Sequence, residues 1–162
     1  NLPMDQQPNT SQGVIIVRLL GGLGNQMFQY AMGRQLALKH NRLLILDLSF
    51  YRTGANQKWA PRTFLLENFN IEAGIAKDSD LQPFVKYTGA NIVSRLLRRA
   101  ASSSWWPDKS YVFEPLGENF IFHPELMNRN FPPQVYFDGF WQTEKYFLNI
   151  VPATNLKNMQ YS

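Results

Sequence analysis

Two short segments hold the residue types from which chemistry could be built. The first is Gly21-Gly22-Leu23-Gly24-Asn25-Gln26, which follows an apolar run and precedes a helical pattern. Glycines between a strand and a helix bring backbone N–H groups and the positive helix end to one point, where a phosphate or another electron-rich group can bind. Gly21, Gly22 and Gly24 would allow close approach, and a tight βα turn would need the same small residues with no ligand at all. The second segment is Tyr136-Phe137-Asp138-Gly139-Phe140-Trp141-Gln142. An acid beside an aromatic at the carboxyl end of a parallel strand suits sugar recognition, the carboxylate accepting hydroxyl hydrogen bonds and the ring of Trp141 covering an apolar sugar face. Asp138 as a turn residue among core aromatics accounts for the pattern equally well.

The elements that must position these segments follow from periodicity. Val14 to Leu20 is almost continuously apolar and β-branched, as expected of a strand buried on both faces. Asn25 to about His40 reads as a helix, with Met27, Phe28, Ala31, Gln35, Leu36 and Leu38 near one face. Leu43 to Leu46, closed by Asp47, reads as a second buried strand. Strand, glycine turn, helix and strand make a βαβ unit and imply a parallel sheet. The pattern predicts a loop over 49–62, helices over 80–86 and 91–101, and a loop over 102–107. Strands follow at 111–113 and 135–137, and Thr143 is placed to cap a last helix through Phe147. The fold class predicted is α/β, a Rossmann-like parallel sheet with flanking helices. Residues 1–13 read as a polar flexible tail, 14–150 as the domain, and 151–162 as a linker or edge.

Composition removes several function classes. The chain has 162 residues, 44% hydrophobic and 17% charged, which is a globular balance. It has no cysteine, so disulfides, thiolate metal sites and cysteine nucleophiles are excluded. His40 and His123 lie far apart and neither belongs to a metal-binding pattern, so no metal is expected. No apolar run is long enough to span a bilayer and the N-terminal residues do not read as a signal peptide, which places the expected location in the cytoplasm. The net charge of +4 suits an anionic small molecule, an acidic membrane or nucleic acid without choosing among them. Arg95, Arg98 and Arg99 with Trp105 and Trp106 could contact nucleic acid or an anionic membrane; a solvated helix face before a packing loop is the favoured reading. No nucleic acid is expected, and a weak peripheral membrane contact stays open. The glycine turn is not a Walker A loop, since no Gly-Lys-Ser/Thr is present. It departs from a dinucleotide fingerprint at Met27, although Asp47 sits where a ribose-binding acid would lie, which keeps an oxidoreductase domain as an alternative.

The run Leu20-Gly21-Gly22-Leu23-Gly24-Asn25-Gln26-Met27-Phe28-Gln29-Tyr30-Ala31 resembles the N-terminal motif of the α-1,2-fucosyltransferases, glycosyltransferase family 11. Arg62 to Ile71 and Tyr136 to Phe147 are similar to two further family segments, in the same order. The resemblance covers about residues 14–148. It implies one half of a GT-B enzyme that transfers L-fucose from GDP-fucose, with inversion, to the 2-hydroxyl of a terminal β-galactose, without an essential metal or other cofactor. Asn25 and Gln26 would then line the cleft near the sugar or pyrophosphate. The family's donor-binding motif, His-x-Arg-Arg-x-Asp-Tyr, does not occur; the Arg98-Arg99 pair is followed by Ala100-Ala101. The expectation is an N-terminal, acceptor-side half with little or no transferase activity by itself. A non-catalytic carbohydrate-binding or assembly domain is the alternative from another class.

Overall fold

The computed structural model describes residues 12–52 and 62–148. The expected tail over 1–11, most of the loop before Arg62, and the closing segment from 149 onward lie outside the described residues. Gln12 and Gly13, assigned to the tail from sequence, belong to the domain edge: Gly13 accepts a hydrogen bond from the Leu43 amide at 2.9 Å.

Among the described residues five strands form one parallel sheet. They are β1 (Val14–Arg18), β2 (Leu43–Asp47), β3 (Gly74–Ile75), β4 (Tyr111–Phe113) and β5 (Gln134–Asp138), in the order β3-β2-β1-β5-β4. The helices are α1 (Leu23–His40), α2 (Ser49–Arg52), α3 (Asp78–Leu81), α4 (Val85–Thr88), α5 (Ile92–Ala101) and α6 (Pro124–Asn128). The expected α/β class is therefore what the chain adopts. β1 to β2, β2 to β3 and β4 to β5 step one way across the sheet, and β3 to β4 jumps back the other way. Right-handed connections then require α1 and α6 on one face and α3 to α5 on the other.

The two cores match that division. Ile15, Val17, Leu44, Leu46, Val112, Val135 and Phe137 point to the face covered by α1 and α6, where they meet Met32, Leu36, Leu126 and Met127. The alternate positions, Ile16, Tyr111 and Tyr136, meet Phe84 and Tyr87 on the other face, with Leu97 and Ala101 of α5 against them. The period-two alternation of each strand is thus spent on two buried faces, which is why the strands read as continuous apolar runs.

α1 begins two residues before the predicted Asn25, with extended Gly22 as its N-cap, and ends at Asn41 in the left-handed conformation. The predicted helix over 80–86 is broken instead. Pro83 interrupts it, leaving α3, a 3₁₀ turn over Gln82–Phe84, and α4. The helix predicted after Thr143 is a single 3₁₀ turn, Glu144–Tyr146, within the described residues.

Gly33 fixes how closely α1 approaches the sheet. A Cβ there would lie 2.5 Å from Val17 Cγ2 and 3.0 Å from Leu44 Cδ1. Gly33→Ala is expected to cost about 1–3 kcal/mol by overpacking. Gly24→Ala, in the same helix with nothing within 4 Å of its Cβ position, is expected to be neutral or slightly stabilising. Paired denaturant titrations check the contrast; equal effects would show that the interface relaxes.

Candidate functional site

Parallel sheets bind ligands beyond the carboxyl ends of their strands. Here those ends carry charge: Arg18 closes β1, Asp47 closes β2 and Asp138 closes β5, while Glu114 follows β4. Arg18 Nη1 lies 3.2 Å from Asp138 Oδ2, and both side chains are largely buried. Tyr111 donates its hydroxyl to the same oxygen at 2.5 Å. Tyr136 donates to Asp47 Oδ2, and Asp47 Oδ1 accepts from the Ser49 amide at 2.8 Å.

These tyrosines are aligned by stacking. Tyr87 and Tyr111 overlap at 3.9 Å between centroids, with Tyr136 and then Phe84 continuing the series at 5.6 and 4.9 Å. Burial, together with the carboxylates they serve, pushes the Tyr111 and Tyr136 phenols far above their ordinary range, so both remain donors. For Arg18, burial disfavours the charge, but Asp138, Tyr136 and Asp47 outweigh it and the guanidinium is held more firmly protonated than usual.

The glycine turn sits beside this network. Gly21 has φ of 77°, a conformation that side-chain-bearing residues rarely adopt, so the turn needs glycine there; a Cβ on it would also displace the Asn25 amide. Gly22 caps α1, and Gly24 is exposed with open space around it. The first N–H groups of α1 at this turn have no partner within the helix.

Gln26 is fully buried and turned toward backbone. Its Nε2 donates to Gly21 O at 3.2 Å and Thr63 O at 2.8 Å, and its Oε1 accepts from the Leu65 amide at 2.9 Å. Gln29, one turn further, accepts from the Leu20 amide at 3.0 Å and donates to Gly139 O at 3.1 Å. Asn25 Oδ1 accepts from Gln142 Nε2 at 2.6 Å. Thus the three segments singled out in the sequence, around residues 20–31, 62–71 and 136–147, converge on the first turns of α1. Gln26 and Gln29 hold them together, while Asn25, half-buried, stands at the surface of the junction.

Asp138 is 3% exposed and committed to Arg18 and Tyr111. Trp141 is 0% exposed; its ring packs edge-on against Phe137 and Tyr146 and presents no face to solvent. Glu114, passed over in the sequence, accepts from the Phe140 and Trp141 amides at 2.7 and 3.0 Å and so shapes this whole loop. Burial raises the Glu114 pKa, against the opposing pull of those two amides. Arg18 and Tyr111 were also missed. The available signal was that three apolar strand segments each end on a charged residue.

Two clefts flank the network. One of about 240 Å³ lies beside Asp47, lined by Ser49, Asp78, Gln82, Thr88 and Tyr136. The other, about 360 Å³, is bordered by Lys109, Glu118, His123 and Arg129. Neither includes a residue of the glycine turn. No group of three or more acidic or histidine ligands suited to a metal occurs among the described residues. With both oxygens of Asp47 engaged and Met27 in place of a small residue, the arrangement gives no support to dinucleotide binding.

The basic cluster is split by the structure. Arg98 donates to the carbonyls of Tyr87 and Gly89, and Trp106 Nε1 donates to the Tyr87 hydroxyl at 3.3 Å. Arg95, Arg99 and Trp105 remain exposed. No helix among the described residues is long and apolar enough to cross a membrane.

Comparison with known proteins gives one informative likeness. The chain is 28% identical over 136 residues to the α-1,2-colitosyltransferase of Escherichia coli, across 83% of this chain and 41% of that protein. It therefore spans less than half the length of that relative. No protein-family model matches the chain, and no solved structure matches it. The likeness supports a relationship to glycosyltransferases.

Proposed function

We propose that this chain forms the acceptor-side half of an α-1,2-glycosyltransferase, with GDP-fucose as donor and the 2-hydroxyl of a terminal β-galactose as acceptor. The observation that carries the reading is the convergence on α1. The three segments that resemble the fucosyltransferase motifs are far apart in sequence, yet Gln26, Gln29 and Asn25 bond them into one junction at the carboxyl ends of β1 and β5. The α-1,2 linkage in the relative's name supports the regiochemistry, and a colitose donor is the nearest competing substrate.

In this reading the acceptor hydroxyl attacks the anomeric carbon as the nucleoside diphosphate leaves, with inversion and without a metal or other cofactor. The chemistry needs donors where negative charge develops on the leaving group. The N–H groups at Gly22 to Gly24 and the N-terminal end of α1 suit that task once a second unit closes over the turn. Asn25 and Gln142 offer amide groups to sugar hydroxyls at the surface of the junction. Asp138 and Trp141 act behind them, fixing β5 and its loop.

Calorimetric titration of the chain with lactose and with GDP-fucose tests this. Lactose binding that Asn25→Ala weakens at least tenfold, with little GDP-fucose binding, is the expected result. Tight GDP-fucose binding without galactoside binding would reverse the assigned division of labour. Absence of binding to either would remove the reading.

A further inference from the structure

The apolar side of α5 does not point at the sheet. At about 100° per residue, Ile92, Leu96, Ala100 and Val93 fill a sector of about 100°. Ser94, Leu97 and Ala101 lie beyond it, and these are the residues that face the core. Ile92, Val93 and Leu96 are 60%, 59% and 56% exposed. Arg95 and Arg99, both exposed, flank the apolar sector on its other side. Val85 of α4, which packs against α5, is also exposed, and Trp105, 70% exposed, follows the helix by one short turn. The result is a surface helix with aliphatic residues facing out beside arginines, which is the composition of helices that lie in a bilayer interface.

Charge selects the occupant. From Gln82 to Pro107 the chain holds Lys86, Arg95, Arg98 and Arg99 and no Asp or Glu. Arg98 is turned inward and Lys86 lies 3.5 Å from Asp108, so Arg95 and Arg99 set the field of the outward face. Two copies of this face would bring like charges together, which disfavours self-association through it. We infer that α5 docks on an anionic lipid surface, with Ile92, Val93 and Leu96 entering the headgroup boundary and Arg95 and Arg99 meeting lipid phosphates. The inference does not depend on the sugar specificity proposed above.

Flotation of the purified chain with phosphatidylcholine vesicles, with and without 30% phosphatidylglycerol at roughly physiological and at low salt, tests it. Binding is expected on the anionic vesicles, with little on the neutral ones, and is expected to fall as salt rises. Arg95→Glu with Arg99→Glu should weaken binding by more than fivefold per site, since each cation near such a surface is worth about that factor. Leu96→Glu should weaken binding at every salt concentration. All these positions are exposed, so circular dichroism and melting of the variants should match the parent. Failure to float with anionic vesicles at low salt would overturn the inference, as would binding indifferent to Leu96→Glu. Self-association that Leu96→Glu abolishes, without vesicle binding, would overturn it in favour of a protein interface.

Discussion

Asp138→Ala is expected to lower the unfolding free energy by about 3–5 kcal/mol, because it strands a largely buried guanidinium. Arg18 and Tyr111 both lose their shared acceptor, and the carboxyl ends of β1 and β5 lose the group that ties them to each other and to Tyr111 of β4. Asp138→Asn keeps the shape and one oxygen, so a smaller loss is expected. Replacing both partners, Arg18→Met with Asp138→Leu, should cost far less than Asp138→Ala, since no charge is then left buried. Urea titrations with an unchanged slope would make these differences readable as stability. A loss below about 1 kcal/mol for Asp138→Ala would mean that water reaches Arg18 and that the pair contributes little. The same variants separate structure from recognition: if Asp138 contacted a sugar directly, Asp138→Asn would lose lactose binding while remaining folded.

That distinction marks how far the sequence could be read. The unit from β1 through the glycine turn and α1 to β2 was legible because its apolar residues report two buried faces and its glycines report a turn. β3, with only Gly74 and Ile75, carries no pattern of its own; it exists because β2 offers an edge. The break at Pro83 was available from proline chemistry and was overridden by the surrounding helical spacing. The glutamines were the harder case. The resemblance places Gln26 in the cleft, and Gln29 carries no local signal of its own. Their partners, Thr63, Leu65 and Gly139, come from distant segments, and no local rule names them. Buried amides must find partners, so the amount of backbone left unpaired by tight turns decides where such glutamines are spent. Arg18 was similarly hidden, because an arginine ending an apolar strand reads as the point where burial stops.

Trp141 offers the other large effect, and its backbone makes the order of substitutions diagnostic. The residue is buried with φ of 54°, a conformation that costs a non-glycine residue about 1–2 kcal/mol. Glu114 holds it there by accepting from the Phe140 and Trp141 amides, while the ring fills the space between Phe137 and Tyr146. Trp141→Ala is expected to cost about 3–5 kcal/mol from the lost ring. Trp141→Gly removes the same ring and also the strain, so it should be no more destabilising than alanine, against the usual ranking of the two. Trp141→Phe should be the mildest, because the buried Nε1 has no acceptor among the described residues and phenylalanine omits it. Thermal and denaturant unfolding of the three variants would show the order. Alanine milder than glycine by about 1 kcal/mol would mean that the loop leaves the left-handed conformation once the ring is gone. The ring would then be holding the loop, and Glu114 only following it. Glycine equal to or milder than alanine would place the constraint on Glu114, whose carboxylate then fixes the path from β5 to Gln142 and, through it, the position of Asn25.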